Sequence, residues 1–147
     1  MDARGLPYER AAALSKFYSL SVTNEETHVY VTSDVIRNAD FVMIWQLEAK
    51  VFGCCLIKKH VQRPDYWELY HLGVHKDKRD RGIATEMIQF AKFDLLSSPN
   101  LQQGSDNKKG LVVRIDDKLT HKHKLVDFFL KRDFIQDEKC HEYVYTK

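Results

Sequence analysis

Residues 72–85 read LGVHKDKRDRGIAT and hold the most informative pattern in the chain. An apolar strand ends at Val74, a basic turn follows, and Gly82 opens a helix. Gly82 has no side chain to block the approach of a ligand to the backbone, and the N–H groups of a helix's first turn favour an anion. Arg79 and Arg81 add positive charge and can pair with phosphate oxygens. The stretch predicts a pyrophosphate-binding turn, although a solvated loop before an ordinary helix has the same pattern.

The segments before this turn predict strands. Phe41–Leu47 and residues 51–58 are rich in the β-branched and aromatic side chains that favour strands. Only residues 48–50 separate them, so we expect an antiparallel hairpin. Tyr66–Val74 is the third predicted strand.

The N-terminal segment has a helical pattern. Proline and regularly spaced apolar side chains predict a helix over residues 7–20. Residues 27–38 are ambiguous between a strand and a helical turn capped by Ser33. The first nine residues have little strand character.

Helices and strands alternate after the turn. Apolar residues recur every four positions from Ile83 to Leu95, which predicts an amphipathic helix. Residues 97–110 have the composition of a surface loop. A strand at residues 111–115 and a helix around Leu125, Phe128 and Phe129 follow. The last strands begin at Phe134 and include residues 142–145. This order indicates an α/β domain with a mixed sheet, and we expect one domain over residues 1–147.

Composition excludes several classes of protein. A net charge of +2 does not indicate a strongly basic nucleic-acid binder. Cys54, Cys55 and Cys140 form no framework, which favours a reducing compartment, the cytosol or nucleus. No apolar run approaches the roughly 20 residues that span a membrane. We expect no metal, because His121 and His123 lack zinc-site spacing.

The segment Arg79-Asp80-Arg81-Gly82-Ile83-Ala84 resembles the acetyl-CoA signature of the GNAT superfamily of N-acetyltransferases, which runs Gln or Arg, two residues, Gly, one residue, Gly or Ala. Val74 lies five residues upstream, at a strand end, as in that family. Residues 128–134 (FFLKRDF) resemble the family's late helix, which often ends FY-x-K-x-GF. The resemblance covers residues 40–147 and implies a GNAT-like α/β fold. In this fold a mixed, mostly antiparallel sheet splays at the cofactor strand and is flanked by helices.

The resemblance also implies roles for individual residues. The backbone of Leu72, Gly73 and Val74 would bind the pantetheine arm of acetyl-CoA like an added strand. An N–H near Val74 would polarise the thioester carbonyl, an amine would attack it directly, and CoA thiolate would leave. The other implied cofactor-binding residues are Arg79, Asp80, Arg81, Gly82, Ile83, Ala84, Thr85, Phe129 and Lys131.

Glu68 is the leading candidate for a general base. Its position resembles that of the base in the histone-acetyltransferase branch, and a base is wanted because an alkyl amine has a pKa of about 10.4. Unbroken alternation would place Glu68, Tyr70, Leu72 and Val74 on one face of the strand and His71 on the other. A glutamate at the sheet rim, paired with a lysine, is the alternative interpretation.

The chain also departs from the family pattern. Many members have a tyrosine in the late helix that protonates the thiolate, but this chain has Phe129. The acid would then be Tyr70, Tyr143 or Tyr145, or the thiolate would leave without one. Asp133 replaces the usual glycine, and we expect it to adopt a left-handed conformation at some cost.

Three functions remain open at this stage. The first is acetyl transfer to an amine of a small molecule or a protein. The second is CoA binding without turnover, and the third is a basic interaction domain without a cofactor. Asp137, Glu138 and Glu142 could attract a cationic amine, and the final strands could pair in a homodimer. A covalent cysteine route lacks an identifiable partner base.

Overall fold

The computed structural model describes residues 6–21, 31–97, 108–115, 122–137 and 141–147. The helices are α1 (Tyr8–Ser21), α2 (Ser33–Arg37), α3 (Ile83–Phe90, continued by a π-helical segment, Ala91–Leu95) and α4 (Lys122–Leu130). The strands are β1 (Phe41–Leu47), β2 (Lys50–Lys59), β3 (Tyr66–Val74), β4 (Gly110–Arg114), β5 (Ile135–Gln136) and β6 (Glu142–Thr146).

The six strands form one sheet in the order β1-β2-β3-β4-β6-β5. Strands β3 and β4 are parallel, and every other neighbouring pair is antiparallel. A helix-containing crossover joins β3 to β4, as a parallel pair requires. The expected mixed, mostly antiparallel sheet is confirmed.

Each face of the sheet packs against a different pair of helices. Ile83 and Met87 of α3 and Phe129 of α4 share one apolar cluster with Trp67 and Leu69 of β3. On the other face, α1 and α2 form a second cluster with alternate residues of β1 and β2; its helical members are Ala11, Leu14, Phe17, Tyr18 and Ile36. The apolar residues that recur along α1 and α3 are the ones that face these two clusters.

Strand β3 contains an extra residue that reverses its faces. Cys54 pairs with Gly73 and Leu56 pairs with Tyr70, so His71 and Leu72 together lie opposite one residue of β2. His71 has a φ of 51° at this β-bulge. Beyond it, Leu72 and Val74 pack on the cluster that contains Trp67 and Leu69, whereas Tyr70 packs on the opposite cluster.

The expected common face for Glu68, Tyr70, Leu72 and Val74 is therefore wrong. Glu68 and Tyr70 face the α1 side, and Leu72 and Val74 face the α3 side, because the bulge interrupts the alternation. The expectation for His71 is wrong for the same reason. Its ring lies 5.2 Å from the ring of Tyr70 and 6.4 Å from that of Tyr18.

The bounds of α1 and of β1 to β4 lie within one residue of the predicted ones. β1 and β3 agree with prediction, and β2 and β4 each begin one residue earlier than expected. The predicted Ser33 cap is wrong: Oγ1 of Thr32 accepts the N–H of Val35 at 3.2 Å and caps α2. Leu6 and Pro7 carry no strand. The predictions for residues 1–5, 22–30, 98–107, 116–121 and 138–140 lie outside the described residues.

The C-terminus of α4 explains how Asp133 replaces glycine. Asp133 has a φ of 70°, as expected. Phe134 N–H donates to the carbonyl of Phe129 at 3.1 Å, and Asp133 N–H donates to that of Leu130 at 3.3 Å. This pair of bonds is the Schellman arrangement that ends many helices.

The β1–β2 turn gives a first prediction. Glu48 has a φ of 57° and Ala49 is not left-handed. Because the left-handed conformation costs an L-residue roughly 1–2 kcal/mol, we expect Glu48→Gly to raise the free energy of unfolding by roughly 0.5–1 kcal/mol, measured in urea. Ala49→Gly is the control and should lower it by a similar amount. Equal destabilisation by both variants would contradict the turn geometry.

Candidate functional site

Strands β3 and β4 separate beside the bulge. Their pairing runs from Tyr66–Gly110 to Leu69–Val113 and stops there. From Tyr70 to Val74, the edge of β3 that faces β4 pairs with no strand in the described part of the chain. A splayed edge of this kind offers backbone groups to an extended ligand.

Helix α1 holds the bulge in place. The hydroxyl of Tyr18 donates a hydrogen bond to the carbonyl of His71 at 2.5 Å. Burial, followed by the nearby Cys54, raises the pKa of Tyr18 well above its ordinary value, so the hydroxyl stays protonated and remains a donor. A side chain of the N-terminal helix therefore binds the backbone at the bulge, beside the opening in the sheet.

The N-terminus of α3, at residues 82–85, lies near the end of β3 and is open to a ligand; we call it the anion seat. Gly82 caps the helix with a φ of 84°, no side chain caps it, and a Cβ added there would meet nothing within 4 Å. The first intrahelical bond joins Glu86 N–H to the carbonyl of Gly82 at 2.9 Å. The N–H groups of Ile83, Ala84 and Thr85 precede that bond and form the positive end of the helix dipole.

A basic turn links the strand end to this seat. His75 N–H donates to the carbonyl of Phe52 at 2.7 Å, and Arg79 Nε donates to the carbonyl of Val74 at 3.3 Å. Arg79, Asp80 and Arg81 are exposed. Asp80 has a φ of 62°, which turns the chain into α3. The structure thus brings together the end of β3, two arginines and the helix N-terminus.

Arg132 also reaches the seat, although the sequence did not predict it. Its Nη2 donates to Oγ1 of Thr85, in the first turn of α3, at 2.5 Å. Its Nη1 donates to the carbonyl of Phe128 at 2.8 Å, and the guanidinium stacks 3.7 Å above the Phe128 ring. The predicted cofactor residue Lys131 is exposed one position earlier. The sequence pattern marks the end of α4 but not which of these two cations faces α3.

Phe129 is a core residue. It is 4% exposed, and its ring lies 5.0 Å from that of Phe128 and 5.1 Å from that of Phe134. It packs α4 on the sheet and has no hydroxyl to offer a thiolate. Tyr143 is 3% exposed in the same cluster, on the sheet face opposite Glu68. Tyr145 lies beside Lys92 on that face, with the ammonium 4.4 Å from the ring centre.

Glu68 lies in a network of ionisable groups. Its carboxylate is 3.5 Å from Lys58 Nζ and 3.7 Å from His60 Nε2, and its side chain is 16% exposed. The lysine partner matches the rim-glutamate interpretation, and His60 was not predicted. On the far side of His60, Nε2 is 2.5 Å from Oε2 of Glu142. Glu142 follows His60 by 82 residues, so no local pattern could have connected them.

The trio of His60, Glu68 and Glu142 could in principle hold a metal ion, because one potential ligand atom from each lies within 4.8 Å of the others. The imidazole tests this idea. His60 Nδ1 accepts the N–H groups of Gln62 and Arg63 at 3.1 and 3.0 Å, so Nε2 carries the proton. A metal on Nε2 would force a proton onto Nδ1, facing two donors. The trio fits a hydrogen-bonded network better than a metal centre.

Two other ionisable groups share the Glu68 face. Burial, then the charges of Asp40 and Glu68, raises the pKa of Tyr70 to about 12, so this phenol stays neutral. Burial, then Lys58, lowers the pKa of His71, with Glu68 opposing the shift. His71 is therefore a neutral imidazole at pH 7.

With this geometry established, the comparisons identify the family. Residues 9–102 match the family model of the Acetyltransferase (GNAT) family. The chain belongs to the GNAT acetyltransferase family. No curated protein matches the chain in sequence. None of the helices in the described ranges is long and apolar enough to cross a membrane.

Solved structures confirm the GNAT fold. An acetyltransferase from Thermus thermophilus is 15% identical with a TM-score of 0.67, over 97% of this chain and 94% of that one. Diaminobutyrate acetyltransferase from Paenibacillus lautus, solved with its substrate and coenzyme A, is 10% identical with a TM-score of 0.65, over 95% and 90%. The ribosomal-protein-S18-alanine N-acetyltransferase of Escherichia coli is 8% identical with a TM-score of 0.63, over 95% and 86%.

Cys54 and Cys55 are buried in β2 of this GNAT domain. Burial raises the pKa of Cys54 to about 12, and burial together with Cys54 raises that of Cys55 still further from its usual range. The thiolate is the reactive form of cysteine. Neither side chain is therefore suited to covalent catalysis.

Thiol titration checks this conclusion. In a Cys140→Ser variant, which leaves two of the three cysteines, we expect no reaction with dithionitrobenzoate at pH 8 in the native protein and full reaction in guanidinium. Glutathione provides the reference rate. A native thiol that reacts as fast as glutathione would reopen the cysteine route.

Proposed function

We propose that this GNAT protein transfers an acetyl group from acetyl-CoA to a primary amine by direct attack. The supporting observation is the joint placement of two features linked by a basic turn: a strand edge at Leu72–Val74 that pairs with no strand among the described residues, and an open helix N-terminus at Gly82. An extended thiol arm fits the first feature and a pyrophosphate fits the second. Two similar folds with coenzyme A in their structures, from Paenibacillus lautus and Mycobacterium tuberculosis, support this choice of cosubstrate.

Different residues bind the two parts of acetyl-CoA, the pantetheine arm and the pyrophosphate. The backbone of Leu72, Gly73 and Val74 pairs with the pantetheine amides. The N–H groups of residues 83–85, with Arg79 and Arg81, hold the pyrophosphate. Arg132 adds a cation beside Thr85 and fixes the orientation of that side chain. Phe129 and Lys131 then contribute through packing and long-range charge rather than through contact.

The proposed acetyl transfer takes place at the same edge of β3. A backbone N–H near Val74 donates to the thioester oxygen and stabilises the negative charge that develops there. The amine nitrogen forms a bond to the acetyl carbon, and the carbon–sulfur bond breaks. Glu68 takes the proton that the amine must lose, directly or through a water. The similar fold from Paenibacillus lautus has L-2,4-diaminobutyric acid as its named substrate, and the one from Escherichia coli is named for an alanine of ribosomal protein S18; N-acetylation of such compounds supports an amine as the acceptor class.

The leaving group needs no acid in this scheme. A thiol has a pKa of about 8.5, so CoA departs as a thiolate and takes a proton from solvent. Tyr70 shares the Glu68 face but is a very weak acid, with its pKa raised to about 12 by burial and nearby charges. Tyr143 is buried on the other face and receives no role.

A non-enzymatic CoA-binding domain is the second candidate, favoured by Phe129 at the position of the family's tyrosine. Release of free thiol from acetyl-CoA in the presence of an amine panel distinguishes the two. Thiol release supports the enzyme, and tight binding without release supports the binding domain.

Gly82 tests the cofactor seat. We expect Gly82→Glu to weaken acetyl-CoA binding about 100-fold or more in calorimetric titration, because a carboxylate near the pyrophosphate repels it. Gly82→Gln has similar size without the charge and is the matched control, with a smaller loss. Wild-type affinity in Gly82→Glu would contradict the seat. Absence of binding to the unmodified protein would favour the cofactor-free interaction domain.

Glu68 tests the chemical step. We expect Glu68→Gln to lower kcat by about 100-fold, the range for a general base, with the Kd of acetyl-CoA within about twofold of the wild-type value. The measurement is thiol release combined with calorimetry. Glu48→Gln, in the exposed β1–β2 turn, is the control and should keep full activity. Normal turnover of Glu68→Gln across pH would remove Glu68 from the mechanism.

A further inference from the structure

Two deeply buried ionisable side chains meet next to Glu68. The side chain of His60 is 3% exposed and that of Glu142 is 2% exposed. Groups of this kind are costly to bury and are retained when they are fully hydrogen-bonded. The proposed acetyl transfer does not use either of them directly, so their place beside the base requires an explanation of its own.

The imidazole of His60 has only one proton arrangement open to it. Two backbone N–H groups donate to Nδ1, so the ring proton is on Nε2. That N–H donates a hydrogen bond to Glu142 at 2.5 Å, and the carboxylate of Glu68 lies 3.7 Å from the same nitrogen, beyond hydrogen-bond distance. His60 thus donates to Glu142 through Nε2, with the carboxylate of Glu68 near the same N–H dipole.

Glu142 has two arginines beside its carboxylate, whereas Glu68 has one lysine. Arg63 Nε lies 3.4 Å from Glu142 and Arg114 Nη2 lies 3.3 Å from it, whereas the cation on Glu68 is Lys58 at 3.5 Å. Arg63 also pairs with Asp137. In the described part of the chain, the titratable and charged side chains that interact with Glu68 or its neighbours include Lys58 of β2, His60 after β2, Tyr70 and His71 of β3, Arg114 of β4, and Glu142 of β6 with Arg63. Asp40, before β1, acts on Tyr70.

We propose that His60 and Glu142 are positioning residues that act on the Glu68 carboxylate through their electrostatic field and set the pH range in which it accepts a proton. The two act in opposite directions. The Nε2–H of His60 stabilises ionised Glu68, and the charge of Glu142 opposes ionisation. The mechanistic part of this inference rests on the proposed role of Glu68 as the base, whereas the electrostatic part does not.

We expect Glu142→Gln and His60→Asn to shift the pH dependence of kcat in opposite directions. Glu142→Gln keeps an oxygen for His60 but removes the charge, so ionised Glu68 is opposed less. We expect the acidic limb of kcat to move to lower pH by about one unit. His60→Asn can still receive the backbone N–H groups but has no donor at the position of Nε2, and the limb should move to higher pH. His60→Gln replaces that donor and should restore the wild-type profile.

Protonation of Glu68 must be distinguished from protonation of the amine substrate, because both produce an acidic limb in the pH profile of kcat. Two acceptors whose amines differ in pKa are compared, and the limb that stays in place belongs to the protein. Arg114→Gln provides a variant at an exposed side chain, 62% accessible, in case the buried substitutions reduce folding. Loss of this cation should move the limb to higher pH by a few tenths of a unit.

A titration without turnover distinguishes failure of this inference from failure of the proposed function. Carbon-13 NMR of labelled glutamate carboxyls follows Glu68 directly, and Glu68→Gln assigns its resonance. Midpoints that move down in Glu142→Gln and up in His60→Asn support the inference even if no amine is acetylated, an outcome that would overturn acetyl transfer alone. Unmoved midpoints in folded variants would overturn the inference, whatever the protein acetylates.

Discussion

The extra residue at His71 is the constraint on which the site depends. One additional residue in β3 shifts the side chains beyond it to the opposite face and interrupts pairing with β2. The pairing of β3 with β4 ends two residues earlier, at Leu69, so the two strands separate where the bulge begins. Since Tyr18 donates to the carbonyl of His71, the first helix supports the opening.

The reversal of faces gives the opening two chemically different sides. Before the bulge, Glu68 and Tyr70 point toward α1 and a buried polar network; after it, Leu72 and Val74 point toward α3 and α4. In the proposed mechanism the acceptor amine and its base lie on one side, and the cofactor lies on the other. In that mechanism the thioester would lie along the backbone between them, where β3 has no strand partner on its β4 side in the described part of the chain, so the bulge would separate two binding functions within one strand.

The sequence predicted those parts of the fold that periodicity and local chemistry determine. β1 and β3 have the expected bounds because their branched and aromatic side chains form continuous runs, and Asp133 takes the left-handed conformation that its place in the pattern required. The bulge could not be predicted, because both faces of β3 are covered by apolar clusters and an extra residue leaves no trace in the pattern. His60 was missed for another reason: its partner lies 82 residues away, and only the sheet order brings them together.

Phe129 shows how packing and catalysis compete for one position. Its ring is in edge contact with the rings of Phe128 and Phe134 and is 4% exposed. A tyrosine in this orientation would bury its hydroxyl, at a cost of about 1–3 kcal/mol if no partner were available. Arg132, stacked on Phe128, depends on the same arrangement to reach Thr85. In the proposed mechanism the end of α4 would thus support the anion-binding N-terminus of α3 through Arg132, and the absence of the hydroxyl would be tolerated because a thiolate is a good leaving group.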